Sequence, residues 1–213
     1  MKRLGDIVAG ALLLVVVTPI ILVASIAAAI SLRAWPFFSQ TRIGRDGEPF
    51  TFVKLRTLPR GVPPYASKYE LTGVEIPRLC RQLRRFHIDE LPQLALVVLG
   101  SMSLVGPRPE MPWLVDEFEP RFAQRRAAVR PGFTGLWQVS NRSDRMIYEH
   151  PEFDEFYLRH RSFRVDVWIL IHSVGMLLPI RREGVAYEDL PDWAIRTGTH
   201  PRTASAVLPA GEV

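Results

Sequence analysis

The chain has 213 residues, 47% of them hydrophobic, and a formal net charge of +5 from 27 Lys and Arg against 22 Asp and Glu. That length suits one domain with a sizeable core, and the excess of base suits an anionic partner such as a lipid headgroup or a phosphate. The single Cys80 excludes an intramolecular disulfide, and five histidines without ligand spacing argue against a Cys/His zinc site. Without a stretch of basic residues interleaved with aromatics, no nucleic-acid partner is expected.

Lys2, Arg3 and Asp6 precede an apolar run over residues 7–32, interrupted only by Gly, Ser, Thr18 and Pro19. This exceeds the roughly 20 residues a helix needs to cross a bilayer. It is too long for the apolar part of a signal peptide, and Arg33 follows it at once. Pro19 sits mid-run and cannot donate its backbone hydrogen bond, so it kinks a helix there; Thr18 can cap the broken turn. Lys2 and Arg3 lie on one flank, Arg33, Arg42 and Arg45 on the other. The preference of basic flanks for the cytoplasm then draws both ends to one face. Two readings stay open: a kinked spanning helix, and a re-entrant helix bent at Thr18-Pro19.

The stretch Trp35-Pro-Phe-Phe38 has the aromatic character of a membrane interface. Residues 44–47 read as a turn between two short strands, the second alternating through Phe50, Phe52 and Lys54. Residues 59–77 carry prolines and glycines without a period and are expected to form a mobile loop. Residues 78–85 read as a short basic helix of the kind that meets lipid phosphate beside a membrane segment.

Then comes His87-Ile-Asp-Glu-Leu-Pro-Gln-Leu94, with two adjacent carboxylates between a basic run and an apolar one. Asp89 suits an N-cap, and Glu90 and Pro92 suit a first helical turn. A capped helix with acids on its dipole accounts for such a pair by itself. Downstream, Gly106-Pro-Arg-Pro109 forms a rigid loop that restricts Arg108, whose planar fork suits two phosphate oxygens. An arginine salt-bridged to a neighbouring helix is the plain alternative. Residues 111–129 look helical, with an interruption near Pro120, and residues 130–139 form a second rigid loop running into an apolar patch. Residues 152–161 read as a polar helix. Residues 163–180 read as an apolar helix for an interface or a core, and the chain beyond Leu190 as a disordered tail.

Together these motifs resemble the monotopic phosphoglycosyl transferases, bacterial sugar transferases that start glycan assembly on a polyprenol phosphate. The resemblance rests on Lys2-Arg-x-x-Asp6, the kinked apolar helix, Arg42-Ile-Gly-Arg-Asp-Gly47, Lys54-Leu-Arg-Thr57 and Asp89-Glu-Leu-Pro-Gln-Leu94. It extends through Met102-Ser-Leu-Val-Gly-Pro-Arg-Pro109, Arg130-Pro-Gly-Phe-Thr-Gly-Leu-Trp-Gln-Val139 and Ser162-Phe-x-x-Asp166. Each is weak alone; their common order makes the likeness specific.

The resemblance implies an α+β, mostly helical fold: a kinked re-entrant membrane helix over residues 1–33, a catalytic domain with interfacial amphipathic helices over 34–188, and a tail over 189–213. It implies transfer of a sugar 1-phosphate from a UDP-sugar to polyprenol phosphate (undecaprenyl phosphate in bacteria) at the cytoplasmic face of the inner membrane, with release of UMP. The nucleophile maps to Asp89 and the Mg2+-associated carboxylate to Glu90. Lys54, Arg108, Arg130 and Asp166 map to substrate-binding positions of the active face. A helix starting at Asp89 would favour its ionised form. The implied partners are the two substrates, anionic membrane lipids, downstream glycosyltransferases and a homodimeric second copy. Departures include Ser101, where many members have aspartate, Thr18 for the usual serine, and Glu75-Ile-Pro-Arg-Leu-Cys80 before the catalytic pair. They leave the sugar open. The alternative is a non-catalytic membrane scaffold of the same fold, which would release no UMP.

Overall fold

Helix α1 (Lys2–Leu32) is among the described residues the one helix long and apolar enough to cross a membrane. The computed structural model describes residues 2–65, 71, 73–177 and 184–194. At 1.5 Å per residue α1 is about 46 Å long. Its helical backbone runs through Pro19, and the Thr18 hydroxyl donates to the Leu14 carbonyl at 2.6 Å.

Both ends of α1 pack on the same domain. Near its start, Arg3 donates to the carbonyls of Val97 and Val98, and the Asp6 carboxylate accepts from the Ser103 hydroxyl at 2.7 Å and the Leu104 N–H at 3.3 Å. Gly10 lies against Val97, where a Cβ would come within 3.1 Å of a methyl group. Near its other end, Ala24 and Ala28 pack with Leu55 and Leu83. The outer face stays apolar and exposed through Leu4, Val8, Leu12, Val15, Val23 and Ile30.

Strands β1 (Phe37–Ile43) and β2 (Pro49–Leu55) form the expected antiparallel hairpin, with Gln40 opposite Phe52. Asp46 and Gly47 take left-handed backbone in its turn. Phe52 is buried in the main core and Leu55, on the opposite face of the strand, against Ala24, Ala28 and Leu83, while Lys54 is half-buried beside the candidate site described below. The 59–77 stretch contains no helix or strand among its described residues; residues 66–70 and 72 lie outside them.

The basic helix α2 (Arg78–Arg85) forms as expected. A 3-10 helix (Ile88–Gln93) follows and leads directly into α3 (Leu94–Leu99), which ends at Gly100 with φ 108°. The C-terminal carbonyls of α3 are taken by arginine: Val97 and Val98 by Arg3, and Gly100 by Arg130 at 2.8 Å.

Strands β3 (Ser103–Val105) and β4 (Gly132–Thr134) pair in parallel, bringing the two proline-rich loops edge to edge. The glycines there are demanded by contact. A Cβ on Gly106 would stand 2.6 Å from the Arg130 carbonyl oxygen, and one on Gly132 or Gly135 would overlap the Gly106 backbone.

The expected interruption near Pro120 separates α4 (Pro112–Val115) from α5 (Pro120–Ala127), whose N-cap Glu119 accepts from the Phe122 N–H. Helices α6 (Glu152–His160) and α7 (Phe163–Leu177) close the domain. Although α6 reads as polar, it buries Phe153, Phe156 and Tyr157, each fully buried apolar ring contributing roughly 1.5–3 kcal/mol. The described residues also include the first part of the expected tail, 189–194. Leu190 (2% exposed) and Ala194 are part of the core, because their apolar side chains seat against it. Residues 195–213 lie outside the described ones, as do 178–180 at the end of the expected apolar helix.

Candidate active site

Asp89 and Glu90 are adjacent in sequence and differ in environment. The helix that carries them does not start at Asp89. Its N-cap is His87, in left-handed backbone with φ 52°, so Asp89 lies inside a 3-10 turn. The expected capping role, with its preference for ionised Asp89, is therefore corrected. Asp89 is 5% exposed, and burial followed by the Glu90 charge pushes its carboxyl up from 3.8 to about 6, against the pull of Lys54, Arg84 and His87.

Glu90 goes the other way. Burial would raise its pKa, but Arg108 donates to both its oxygens, at 2.9 and 3.5 Å, and the net effect lowers it to about 2. The Glu90 charge in turn holds the Arg108 guanidinium above its ordinary value. Lys54 on β2 is brought down to about 8 by burial, partly offset by Glu90 and Asp89. Two carboxylates in sequence thus become one firmly ionised and one that protonates near neutrality.

Beside them, lined by Lys54, Arg84 and Arg108 but by neither carboxylate, lies a cavity of about 210 Å³; its other basic residues are Arg42, Arg56 and Arg145, and among the described residues Glu110 is its one acidic group. Trp113, Trp137 and Phe38 supply aromatic wall. Such a surface suits a diphosphate with an attached ring.

The Arg108 loop is held from both sides. Arg126 donates to the Arg108 carbonyl at 2.8 Å and to Asp154 at 2.8 Å, and its guanidinium stacks over Phe118. Arg42 donates to the Pro109 carbonyl at 3.1 Å and pairs with Glu110 at 3.3 Å. The expected stiffness of Arg108 therefore comes from two buried arginines as well as from two prolines. Arg126 and Asp154 carried no individual signal in the sequence, because they meet only when α5 packs on α6.

Arg130 and Asp166 are placed elsewhere. They line a second cavity, of about 1000 Å³, beside the first turn of α1. Asp166 accepts from Lys2 at 2.7 Å and from the Tyr157 hydroxyl at 2.9 Å, tying α7 to α1. Burial raises its pKa against the stabilising Lys2. Of the residues expected on one face, Asp89, Glu90, Lys54 and Arg108 come together; Arg130 and Asp166 join a different set. Thr18 and Pro19 lie within α1, away from both.

Among the described residues no three His, Cys, Asp or Glu side chains are grouped to hold a metal by themselves. The donor set of Asp89 and Glu90 still fits Mg2+, which commonly takes one or two carboxylates and completes its shell with substrate phosphate oxygens and water.

A carboxylate pair beside a cation-lined cavity, on a small α+β domain that carries a membrane-length helix, has the chemistry that phosphoryl transfer calls for. Residues 1–179 match the family described as bacterial sugar transferase, and the chain belongs to that family. It is 36% identical over 183 residues to the uncharacterized sugar transferase EpsL of Bacillus subtilis (strain 168), covering 84% of this chain and 87% of that one. It is 37% identical over 185 residues to a UDP-glucose:undecaprenyl-phosphate glucose-1-phosphate transferase of Caulobacter vibrioides, covering 83% of this chain and 69% of that one. It is 30% identical over 186 residues to a UDP-N-acetylgalactosamine-undecaprenyl-phosphate N-acetylgalactosaminephosphotransferase of Aeromonas hydrophila, covering 83% of this chain and 43% of that one.

Proposed function

We propose that this protein transfers a sugar 1-phosphate from a UDP-sugar to undecaprenyl phosphate or a similar polyprenol phosphate, releasing UMP, through a covalent aspartyl phosphosugar on Asp89. The observation that carries this reading is the split of the adjacent carboxylates beside a cavity whose described lining has six basic residues and one acidic one. The relatives' names support the substrate class, and their different sugars leave the hexose open.

Asp89 attacks the β-phosphorus of the donor. A bond from its carboxylate oxygen to phosphorus forms, and the bond from that phosphorus to the bridging oxygen breaks, which frees UMP. The acceptor's phosphate oxygen then attacks the same phosphorus and releases the Asp89 carboxylate. The obstacle is the repulsion between a carboxylate and a diphosphate. Arg108 and Lys54 supply positive charge there, and Arg108 is held by its loop, so little reorganisation is needed. Mg2+, when held by Glu90 and Asp89, would shield the diphosphate charge. Burial of Asp89 leaves an ionised carboxylate poorly solvated and correspondingly reactive.

The membrane arrangement belongs to the same proposal. Helix α1 enters and leaves one face of the bilayer, at the cytoplasmic side of the inner membrane. What supports this is the packing of both its ends on one domain, at Arg3 and Asp6 and again at Ala24 and Ala28, with its outer face apolar throughout. A straight span would separate those two attachments by the bilayer core, about 30 Å thick. Cysteines placed at position 2 and beside Arg33, in a Cys80→Ser background, should label from the same side; labels on opposite sides overturn this arrangement.

The reaction is tested by mixing enzyme, Mg2+ and a panel of UDP-sugars without acceptor. One sugar should leave its phosphate on the protein and release one equivalent of UMP. An unchanged intact mass, with turnover confirmed in parallel, removes the covalent route. No turnover with any UDP-sugar favours the scaffold.

A further inference from the structure

The second cavity contains groups that the reaction does not use. It opens between the first turns of α1 and of α7. Its five cations come from four separate segments: Lys2 and Arg3 of α1, Arg45 of the hairpin turn, Arg130 before β4, and Arg161 between α6 and α7. Among the described residues two carboxylates line it, and both are engaged: Asp6 by Ser103 and Leu104, Asp166 by Lys2 and Tyr157; a third, the exposed Asp46, pairs with Arg45 at 3.3 Å from outside the cavity. Arg3 and Arg130 donate to backbone carbonyls, which leaves their charge uncancelled. Arg161 is exposed.

The opposite wall is apolar. Ala9, Phe163, Val167 and Leu170 line it, and Phe163 is 82% exposed. From there Val167, Ile171 and Val174 continue an exposed apolar stripe along α7, while Leu4, Val8 and Leu12 do so along α1. The cation cluster therefore lies where two apolar stripes meet their charged ends, the level at which headgroups sit if those stripes enter lipid.

We infer that this cavity binds an anionic phospholipid, its phosphate among Arg3, Arg45, Arg130 and Arg161 and its acyl chain along Phe163 and Val167. The inference rests on the membrane arrangement proposed above and not on the chemistry at Asp89. Five cations against three carboxylates, Asp6, Asp166 and the exposed Asp46, leave the cluster net positive, which is the charge complement of a phosphate. The apolar wall distinguishes an amphiphile from a free phosphate, and the volume far exceeds what a lone phosphate fills. An anionic headgroup would seat the start of α1 at the surface while Lys2 ties it to α7.

The test uses the full chain in nanodiscs of phosphatidylcholine with or without phosphatidylglycerol. Lipid retained after gentle release is counted by native mass spectrometry, in the absence of UDP-sugar. The wild type should retain phosphatidylglycerol selectively. The double variant Arg45→Gln, Arg161→Gln should lose about tenfold or more of that retention, since each basic group near a charged surface counts. Both side chains are exposed, so the fold should survive. Phe163→Ser should weaken retention while leaving every charge in place. UMP release and the KM for polyprenol phosphate in detergent should stay unchanged in the double variant. Equal retention of the two lipids, or retention indifferent to these substitutions, overturns the inference. A raised KM for polyprenol phosphate overturns it in favour of the acceptor as occupant. Because retention is read without donor, failure of the reaction at Asp89 would leave this result standing.

Discussion

The cavity beside Asp89 and the cavity beside the first turn of α1 are both rich in arginine, and they use it differently. In the first, Arg108 is locked onto Glu90 and its loop is clamped by Arg126 and Arg42. Its charges shift one another's protonation, so the nucleophile proposed at Asp89 and its counter-charges stand at fixed positions. In the second, Arg3 and Arg130 cap the carbonyls of α3 and keep their charge, and the far wall is apolar. Rigid ion pairs around a buried carboxylate suit bond-making; loosely compensated cations beside exposed apolar side chains suit adhesion. A count of basic residues would not tell the two apart.

The sharpest way to break this division is Asp89→Asn. It should abolish the covalent adduct and lower turnover by on the order of 1,000-fold or more. It should also stabilise the protein. The folded pKa of about 6 lies above the ordinary 3.8, so Asp89 favours folding fully only below pH 3.8 and loses that contribution as pH rises to about 6. The thermal midpoint of the variant should thus pull ahead of wild type between those two pH values and hold its lead above them. A shift of about two units corresponds to roughly 3 kcal/mol. A variant no more stable than wild type at pH 7 would show that Asp89 is not held in a desolvated, unfavourable state.

Next in size, Arg108→Ala should reduce the rate of adduct formation by on the order of 100-fold. Lys54→Ala should cost less, because lysine offers one flexible point charge where Arg108 offers two directed donors. Equal and slight losses would place both residues outside the site. Arg126→Lys should be milder, on the order of 10-fold in kcat with KM for the donor little changed. Lysine can keep the charge opposite Asp154 but cannot also reach the Arg108 carbonyl in the same fork. If Arg126 served stability alone, the thermal midpoint would fall and the kcat of the folded fraction would not. The smallest effect is the pH profile. Adduct formation should rise through about pH 6 as Asp89 ionises and fall above about pH 8 as Lys54 loses its proton. Stopped-flow UMP release across pH 5 to 9 reads both limbs; a flat acid limb would contradict the nucleophile assignment. None of these four substitutions should alter phosphatidylglycerol retention in the second cavity, which keeps the two sites separable by experiment.

Local chemistry alone determined much of this protein. The apolar run at the N-terminus, the hairpin turn at Asp46-Gly47, the break at Pro120 and the stiff Gly-Pro-Arg-Pro loop follow from side-chain hydropathy and backbone restriction within a few residues. The carboxylate pair and Arg108 were legible because each sits in a dense, ordered motif. What the tertiary structure decided depends on groups far apart in sequence. The parallel pairing of β3 with β4 joins strands about 30 residues apart and makes Gly106, Gly132 and Gly135 obligatory. Asp89 reads as a helix cap in sequence, and only burial beside Glu90 and the left-handed turn at His87 turn it into a carboxyl that titrates near neutrality. Arg130 and Asp166 read as part of the same face as Asp89. Packing of α1 against α3 and α7 instead assigns them to a separate cavity, because motif order along the chain fixes neither distance nor solvation.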